Sequence, residues 1–340
     1  MQELTRDKIL LAHGDGGLLT HELISNFFLR HFENPILKTL SDAATLPLEI
    51  GKGRLVVTTD SFVIKPVFFP GGDIGKLAVC GTVNDLAVSG AVPHYLTVSF
   101  ILEEGLPLAD LEKILTSMAE AARMAGVTIV AGDTKVVERG NADKIFINTT
   151  GVGLVPDGVE LGYHKVEEGD VVIINGNIGE HGLAVVSRRE GLEFESDIIS
   201  DCTCLNSITQ DLLFKYKGIK LMRDPTRGGV ATTVKEIALA TNKDIFLFED
   251  RLPISDGVRW AAEMLGLDPL YLANEGKFIA VVLRQEAPDI IAALRRLPQG
   301  QQASIIGEVK NGQGNVFLKT SLGATKLIDM LAGEQLPRIC

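Results

Sequence analysis

The sequence predicts a two-domain α/β protein, and three observations predict it. At 340 residues the chain is long for one core and comfortable for two. β-Branched runs alternate with stretches of helical apolar spacing in both halves. A turn at Pro156-Asp157-Gly158, followed by the polar stretch Lys165–Asp170, separates the halves. We therefore expect an N-terminal domain over residues 1–156, a C-terminal domain over 166–322, and a terminal helix with a flexible tail over 323–340.

Composition narrows the function classes. Hydrophobic residues make up 46% of the chain and charged residues 23%, the balance of a globular protein. The 33 basic and 44 acidic side chains leave a formal charge of −11 at pH 7. That argues against nucleic-acid binding, which needs a basic face, and against an anionic membrane surface. A phosphate ligand would need metal ions or local donors to offset the acidic field. Met1–Lys8 lacks the basic-then-apolar pattern of a signal peptide, and no apolar run is long enough to span a bilayer. The four cysteines, Cys80, Cys202, Cys204 and Cys340, are too few for a disulfide framework. The expectation is a cytoplasmic protein with neither nucleic-acid nor membrane partners.

In chain order, His13-Gly14-Asp15-Gly16-Gly17 is a glycine-rich loop, suited to phosphate contact by backbone N–H groups or to an ordinary turn. Leu19, Leu23, Phe27 and Phe28 then recur at helical spacing. Ser41-Asp42-Ala43-Ala44 is a polar turn. Arg54–Asp60 reads as a strand ending in a carboxylate, which fits a ligand edge or a turn cap. Residues 73–90 read as a helix with Leu77, Cys80, Val83, Leu86 and Ala87 on one stripe. Asn84 and Asp85 interrupt its apolar run, and a charge there is costly without a cation or partner. Gly75-Lys76 is not a P-loop, because the glycine spacing is short by one and Leu77 replaces the Ser or Thr. Pro93–Phe100 reads as a strand, Leu108–Ala125 as a helix, and Val127–Ala131 as a strand running into Gly132-Asp133-Thr134-Lys135. Lys144–Val155 is a fourth strand.

The second half opens on a buried strand, Asp170–Ile174. In Asn175–Gly182 the glycines miss the dinucleotide fingerprint, so a tight strand-to-helix turn is expected, with His181 a turn or interface residue. In Met222–Gly229, Asp-Pro-Thr and Gly-Gly mark a turn and a helix start. Arg223 and Arg227 there suit an anion clamp or ion pairs with Asp224 or Glu236. Val230–Thr241 and Arg259–Leu265 read as helices. Glu275, in Asn274-Glu275-Gly276 before the strand Lys277–Leu283, fits a positioned base or a turn residue. A helix over Pro288–Leu297, a strand over Ile305–Val309 and a hairpin around Gly312–Gly314 follow. Gly333 and Pro337 break any helix, so Glu334–Cys340 reads as a flexible tail whose terminal thiol can enter a pocket end-on.

Asp42, Asp60, Asp85 and Asp133 share a setting in turns, at strand ends or in an apolar helix. Hard cations such as Mg²⁺ take carboxylate and phosphate oxygens, so these acids point to a Mg²⁺–nucleotide site. They do not identify the reaction.

Several motifs together resemble a known family along nearly the whole chain. They are the glycine loop, Thr58-Thr59-Asp60, the segment Thr82–Pro93, Ala131-Gly132-Asp133-Thr134-Lys135, Asp224-Pro225-Thr226-Arg227-Gly228-Gly229 and the terminal Pro337-Arg338-Ile339-Cys340. Thr82–Pro93 alone marks the superfamily of aminoimidazole ribonucleotide synthetase, selenophosphate synthetase and thiamine phosphate kinase. The terminal Cys after Pro-Arg, with the Asp224–Gly229 motif, narrows the resemblance to the HypE family of hydrogenase maturation proteins. Asp15 departs from that pattern, in which a small residue is common.

The resemblance implies a synthetase-like fold. An N-terminal sheet-plus-helices domain pairs with its twin in a homodimeric barrel with ATP at the interface, and an α/β sandwich domain follows. It implies that Asp60, Asp85 and Asp133 carry Mg²⁺–ATP, and that Lys135, Glu275 and Cys340 perform the chemistry. Asp42 and Asn84 complete the candidate nucleotide contacts. The implied reaction is ATP-dependent dehydration of a carbamoyl group on Cys340 to a thiocyanate. A HypF-type carbamoyltransferase would supply the carbamoyl group, and iron on a HypC–HypD complex would accept the cyanide for a NiFe hydrogenase. The alternative is a small-molecule kinase or synthetase of the same superfamily, which would turn over fully without Cys340.

Overall fold

The computed structural model describes residues 8–14, 18–39, 51, 53–192, 198–330, 336 and 339. Asp15, Asp42 and Cys340 lie outside the described residues. The predicted first helix runs through α1 (Leu18–Leu23), a π-turn (Ile24–Phe28) and α2 (Leu29–Phe32), with Leu23, Phe28 and Phe32 buried. Then come β1 (Arg54–Phe62), β2 (Phe68–Phe69), β3 (Gly72–Asp73), α3 (Ile74–Val88), β4 (Val92–Glu103), α4 (Leu108–Ala125), β5 (Thr128–Val137) and β6 (Ile145–Val155).

Four of these strands form one sheet in the order β1-β6-β4-β5, with only the β4–β5 pair parallel. Alternation along β4 turns Leu96, Val98, Phe100 and Leu102 into the core, against Leu77 of α3 and Leu111 and Leu115 of α4. The opposite face carries Leu55, Val57 and Ile101 at 50%, 59% and 42% exposure. The Asp73 carboxylate caps α3 by accepting the N–H groups of Gly75 and Lys76. Asp60 and Asp133, expected at strand ends, instead project from mid-strand, because β1 runs on to Phe62 and β5 to Val137.

The second half contributes β7 (Val171–Ile174), α5 (Glu180–Glu190), α6 (Asn206–Lys215), β8 (Ile219–Arg223), α7 (Gly229–Thr241) and β9 (Lys243–Phe248). After these follow α8 (Asp256–Leu265), β10 (Ile279–Val282), α9 (Ala287–Leu294), β11 (Ser304–Asn311), β12 (Val316–Lys319) and β13 (Thr325–Ile328). Its seven-stranded sheet has the order β13-β12-β9-β11-β7-β10-β8. Every residue of β7 and β10 is buried, as continuous apolar runs require when both faces are covered. α7 packs on one face through Val230, Val234 and Ile237; α6 and α9 pack on the other through Ile208, Leu212, Ile290 and Leu294. This is the expected α/β sandwich.

Three expectations for the C-terminal part are corrected. The segment around Gly312–Gly314 is not a hairpin, because β11 and β12 flank β9 on opposite sides. The N–H groups of Gln313 and Asn315 both donate to the Asp244 carboxylate, so the loop wraps that acid instead of pairing its flanking strands. Residues 325–328, expected in a terminal helix, form β13, antiparallel to β12 with Val316 opposite Ile328. The tail is also not free throughout. Leu336 packs against buried side chains, and Ile339 is 5% exposed within the N-terminal core. Among the described residues, no helix is long and apolar enough to cross a membrane.

Candidate active site

The two domains meet along α3, the segment 198–205 and the turn before β10. Asn84 ties these together. Its amide donates to the carbonyls of Thr203 at 3.0 Å and Glu275 at 3.1 Å, and its oxygen accepts the N–H of Leu205 at 2.8 Å. At 2% exposure, with its amide engaged by three backbone groups, Asn84 is an interdomain tie and not a nucleotide contact. That corrects the sequence expectation. Asn84→Ala strands three buried backbone groups and is expected to cost about 3 kcal/mol or more, read as a lowered denaturation midpoint.

The neighbouring Asp85 faces β1, where the Thr58 hydroxyl donates to it at 2.7 Å. Asp60 lies two residues on from Thr58, on the same face of β1. Asp224 enters from the end of β8 and Glu275 from the turn before β10. Asp60, Asp85, Asp224, Arg227 and Glu275 thus line one cavity. Glycines set this geometry. Gly228 and Gly229 take φ of +76° and +61°, and a Cβ on Gly229 would lie 2.5 Å from the Leu270 carbonyl oxygen. A Cβ on Gly276 would lie 1.9 Å from the carbonyl oxygen of Asp201.

The cavity is short of positive charge. Burial, and then the charge of Asp85, pushes Asp60 from 3.8 up to about 6. Burial and Asp85 likewise push Asp224 to about 7. Burial raises Asp85, against the Thr58 hydroxyl and Arg223. Glu275 is raised well above its ordinary value by burial, with Cys202 and Asp201 adding to it. One of its oxygens, Oε1, is buried with no hydrogen-bond partner. Arg223 is engaged elsewhere, by the Tyr163 hydroxyl and the Glu236 carboxylate at 2.8 Å. The ion-pair alternative therefore holds for that arginine.

Among the described residues, no three acidic, His or Cys side chains converge closely enough to hold a metal by themselves. Two paired carboxylates short of a cation fit Mg²⁺, which takes one or two protein carboxylates and completes its shell with phosphate oxygens and water.

Asp133 and Lys135 stand apart from this cavity. β5 is the far edge strand of the sheet, separated from β1 by β4 and β6, and the two side chains pair with each other at 3.7 Å in the open. Both line a second cavity, apolar on its inner side, with Phe28, Phe32, Phe100 and Ile129.

Glu275 is held from behind. Asp201 accepts the N–H groups of Glu275 and Gly276, each at 3.1 Å, and pairs with Lys277 at 2.9 Å. The chain terminus reaches the same seam: the Ile339 carbonyl lies 2.8 Å from His181 Nε2.

Two family profiles match the chain: "AIR synthase related protein, N-terminal domain" over residues 40–155 and "AIR synthase related protein, C-terminal domain" over residues 167–319. Carbamoyl dehydratase HypE of Rhizobium leguminosarum bv. viciae is 48% identical over 341 residues, spanning 99% of this chain and 97% of its own. The chain belongs to the HypE family of carbamoyl dehydratases. A crystal structure of the hydrogenase maturation protein HypE in complex with ATP matches with a TM-score of 0.93 at 49% identity, over 97% of this chain and 99% of that one. A chain of a HypE–HypF complex matches with a TM-score of 0.79 at 47% identity, over 91% of this chain and 99% of that one.

Within this HypE fold, the structure unites Asp60, Asp85 and Glu275 and leaves Asp133 and Lys135 on another edge of the protomer. Sequence reasoning missed Asp224, treating it as part of a turn and a partner for an arginine. Its signal was the one that singled out Asp60, an acid where a strand gives way to a loop. It read His181 only as a turn or interface residue and missed Asp201; their contacts lie 158 and 74 residues away.

Proposed function

We propose that this chain is an ATP-dependent dehydratase that converts a carbamoyl group on Cys340 to a thiocyanate. The observation that carries this reading is the buried terminus. Residue 339 docks on the interdomain seam that also holds Glu275, which supports a reacting group carried on the residue that follows it. A small-molecule kinase has no use for such a seat. Relatives bearing the dehydratase name, and one solved with ATP, support the same reading.

The proposed steps balance. The carbamoyl oxygen attacks the γ-phosphorus, ADP leaves, and one N–H proton is lost. Loss of the second N–H proton expels inorganic phosphate and closes the C≡N bond, leaving sulfur cyanated. Glu275 suits proton removal, because a carboxylate in dry surroundings holds a proton more tightly than one in water. Asp60 and Asp85 would hold Mg²⁺ against the nucleotide, and that ion would neutralise charge on the phosphates. The exposed apolar face of the N-terminal sheet suits pairing with a second copy. In that homodimer the partner subunit's Asp133 and the partner subunit's Lys135 would complete the phosphate site, and the apolar cavity beside them suits a nucleobase. A HypF-type carbamoyltransferase loads the thiol, and iron on a HypC–HypD complex accepts the cyanide, in the cytoplasm.

Intact-mass analysis tests the reading. Incubation with a HypF-type enzyme, carbamoyl phosphate and Mg²⁺–ATP is expected to give a carbamoyl adduct at Cys340 that loses one water. Deletion of Cys340 should abolish both changes while ATP still binds. An adduct that keeps its mass with ATP, or no adduct under conditions that load a relative, overturns it.

A further inference from the structure

We propose that His181 is a positioning residue, a latch whose Nε2–H holds the Ile339 carbonyl and so fixes the last peptide unit before Cys340. The inference rests on the reading of Cys340 as the carrier of the reacting group.

His181 is fully buried in the first turn of α5, where a leucine would pack without any polar cost. Its ring nitrogens are both engaged, and their partners fix the tautomer. A carbonyl only accepts, so Nε2 carries the hydrogen toward Ile339 at 2.8 Å. Nδ1 is then the acceptor, and the Ser200 hydroxyl lies 2.8 Å away to donate to it. The Ser200 oxygen in turn accepts the N–H of Cys202 at 3.1 Å. Each donor in this relay has one acceptor, and its only outlet is the tail. Phe69 packs edge-on against the imidazole at 5.3 Å, which sets the ring plane. Burial keeps the imidazole neutral, against the attraction of Asp201, so the relay keeps this direction at neutral pH.

The latch shares its base with the reacting region. Ser200 and Cys202 flank Asp201, whose carboxylate holds the N–H groups of Glu275 and Gly276. One three-residue segment thus positions the chain terminus through His181 and the proton-transfer group through Asp201.

Two amides separate the tail contact from the packing. Asparagine reproduces the Nδ1 edge of histidine and reaches Ser200 but not Ile339; glutamine reproduces the Nε2 edge and reaches Ile339. Iodoacetamide labelling of Cys340, followed on the C-terminal peptide by mass spectrometry, reads docking directly. His181→Asn is expected to label about fivefold faster than wild type, the worth of one hydrogen bond in a dry site. It should also slow water loss from the carbamoylated chain at saturating ATP, with the KM for ATP unchanged. His181→Gln should return both rates to within about twofold of wild type. Ser200→Ala should shift labelling in the same direction as His181→Asn, and decides the matter if that variant does not fold. Wild-type labelling in both His181→Asn and Ser200→Ala, or a His181→Gln variant no better than His181→Asn, overturns the latch. If the carbamoylated wild-type chain keeps its mass with ATP, the proposed function fails, while the labelling ratio still decides the latch.

Discussion

Asp85→Asn is expected to lower Mg²⁺-dependent ATP cleavage by at least about 100-fold and, without metal, to melt higher than the parent above pH 6. The first effect follows from removing a carboxylate from a site where metal affinity depends on a few ligands and their supports. The second follows from the sign of the acid shifts. The folded state raises Asp60 from 3.8 to about 6 and Asp224 to about 7, in both cases partly because Asp85 is beside them. Between those values and the ordinary one the folded protein holds protons that the unfolded chain has released, so stability falls as pH rises from about 4 to about 7. A neutral amide at position 85 removes part of that repulsion and keeps the acceptor for the Thr58 hydroxyl. Melting curves at pH 5 and pH 8, with and without Mg²⁺–ADP, check this. The gain from the nucleotide should be larger at pH 8 in the parent. Equal turnover by parent and variant would remove Asp85 from the site.

Glu275→Gln is expected to stop dehydration while leaving ATP binding within a few-fold of the parent. General-base groups contribute about 10²- to 10⁴-fold, and glutamine keeps the shape but takes no proton. The substitution should not unfold the site. The backbone N–H of residue 275 still donates to Asp201, and its carbonyl still accepts from Asn84. Burial already disfavours the charge of the parent side chain, and one of its oxygens has no partner. Stability should therefore change little. Water loss from the carbamoylated chain in a single turnover, set against ATP affinity by titration calorimetry, separates the two effects. A variant that dehydrates at the parent rate would leave Glu275 a structural acid.

Local patterning made the N-terminal half legible. The bounds of α3 and α4 were readable between strong stop signals, but the single stripe expected on α3 is not there, because that helix is buried nearly all round. Asp60 stood out as a carboxylate closing a strand, Glu275 as an acid in the turn before one, and Asp85 as a charge in an apolar helix. Asn84 was misjudged for the same reason. A polar residue in a buried helix signals a partner, and only the fold shows that the partners are backbone groups of the other domain. β9 and β13 went unrecognised because short runs such as Thr325–Ile328 acquire strand character from pairing. Asp224, Asp201 and His181 join the site through contacts far apart in the chain, which no local pattern encodes.

The burial of Ile339 bears on hand-over. Fully covering an isoleucine is worth about 2 kcal/mol against the cost of ordering the tail, so this contact lowers the fraction of undocked termini. An acceptor that collects from the undocked form binds with its apparent affinity reduced by that same fraction. Retention therefore favours completing the reaction before release, and an aliphatic side chain that takes no part in the chemistry shares with the His181 contact in setting that balance.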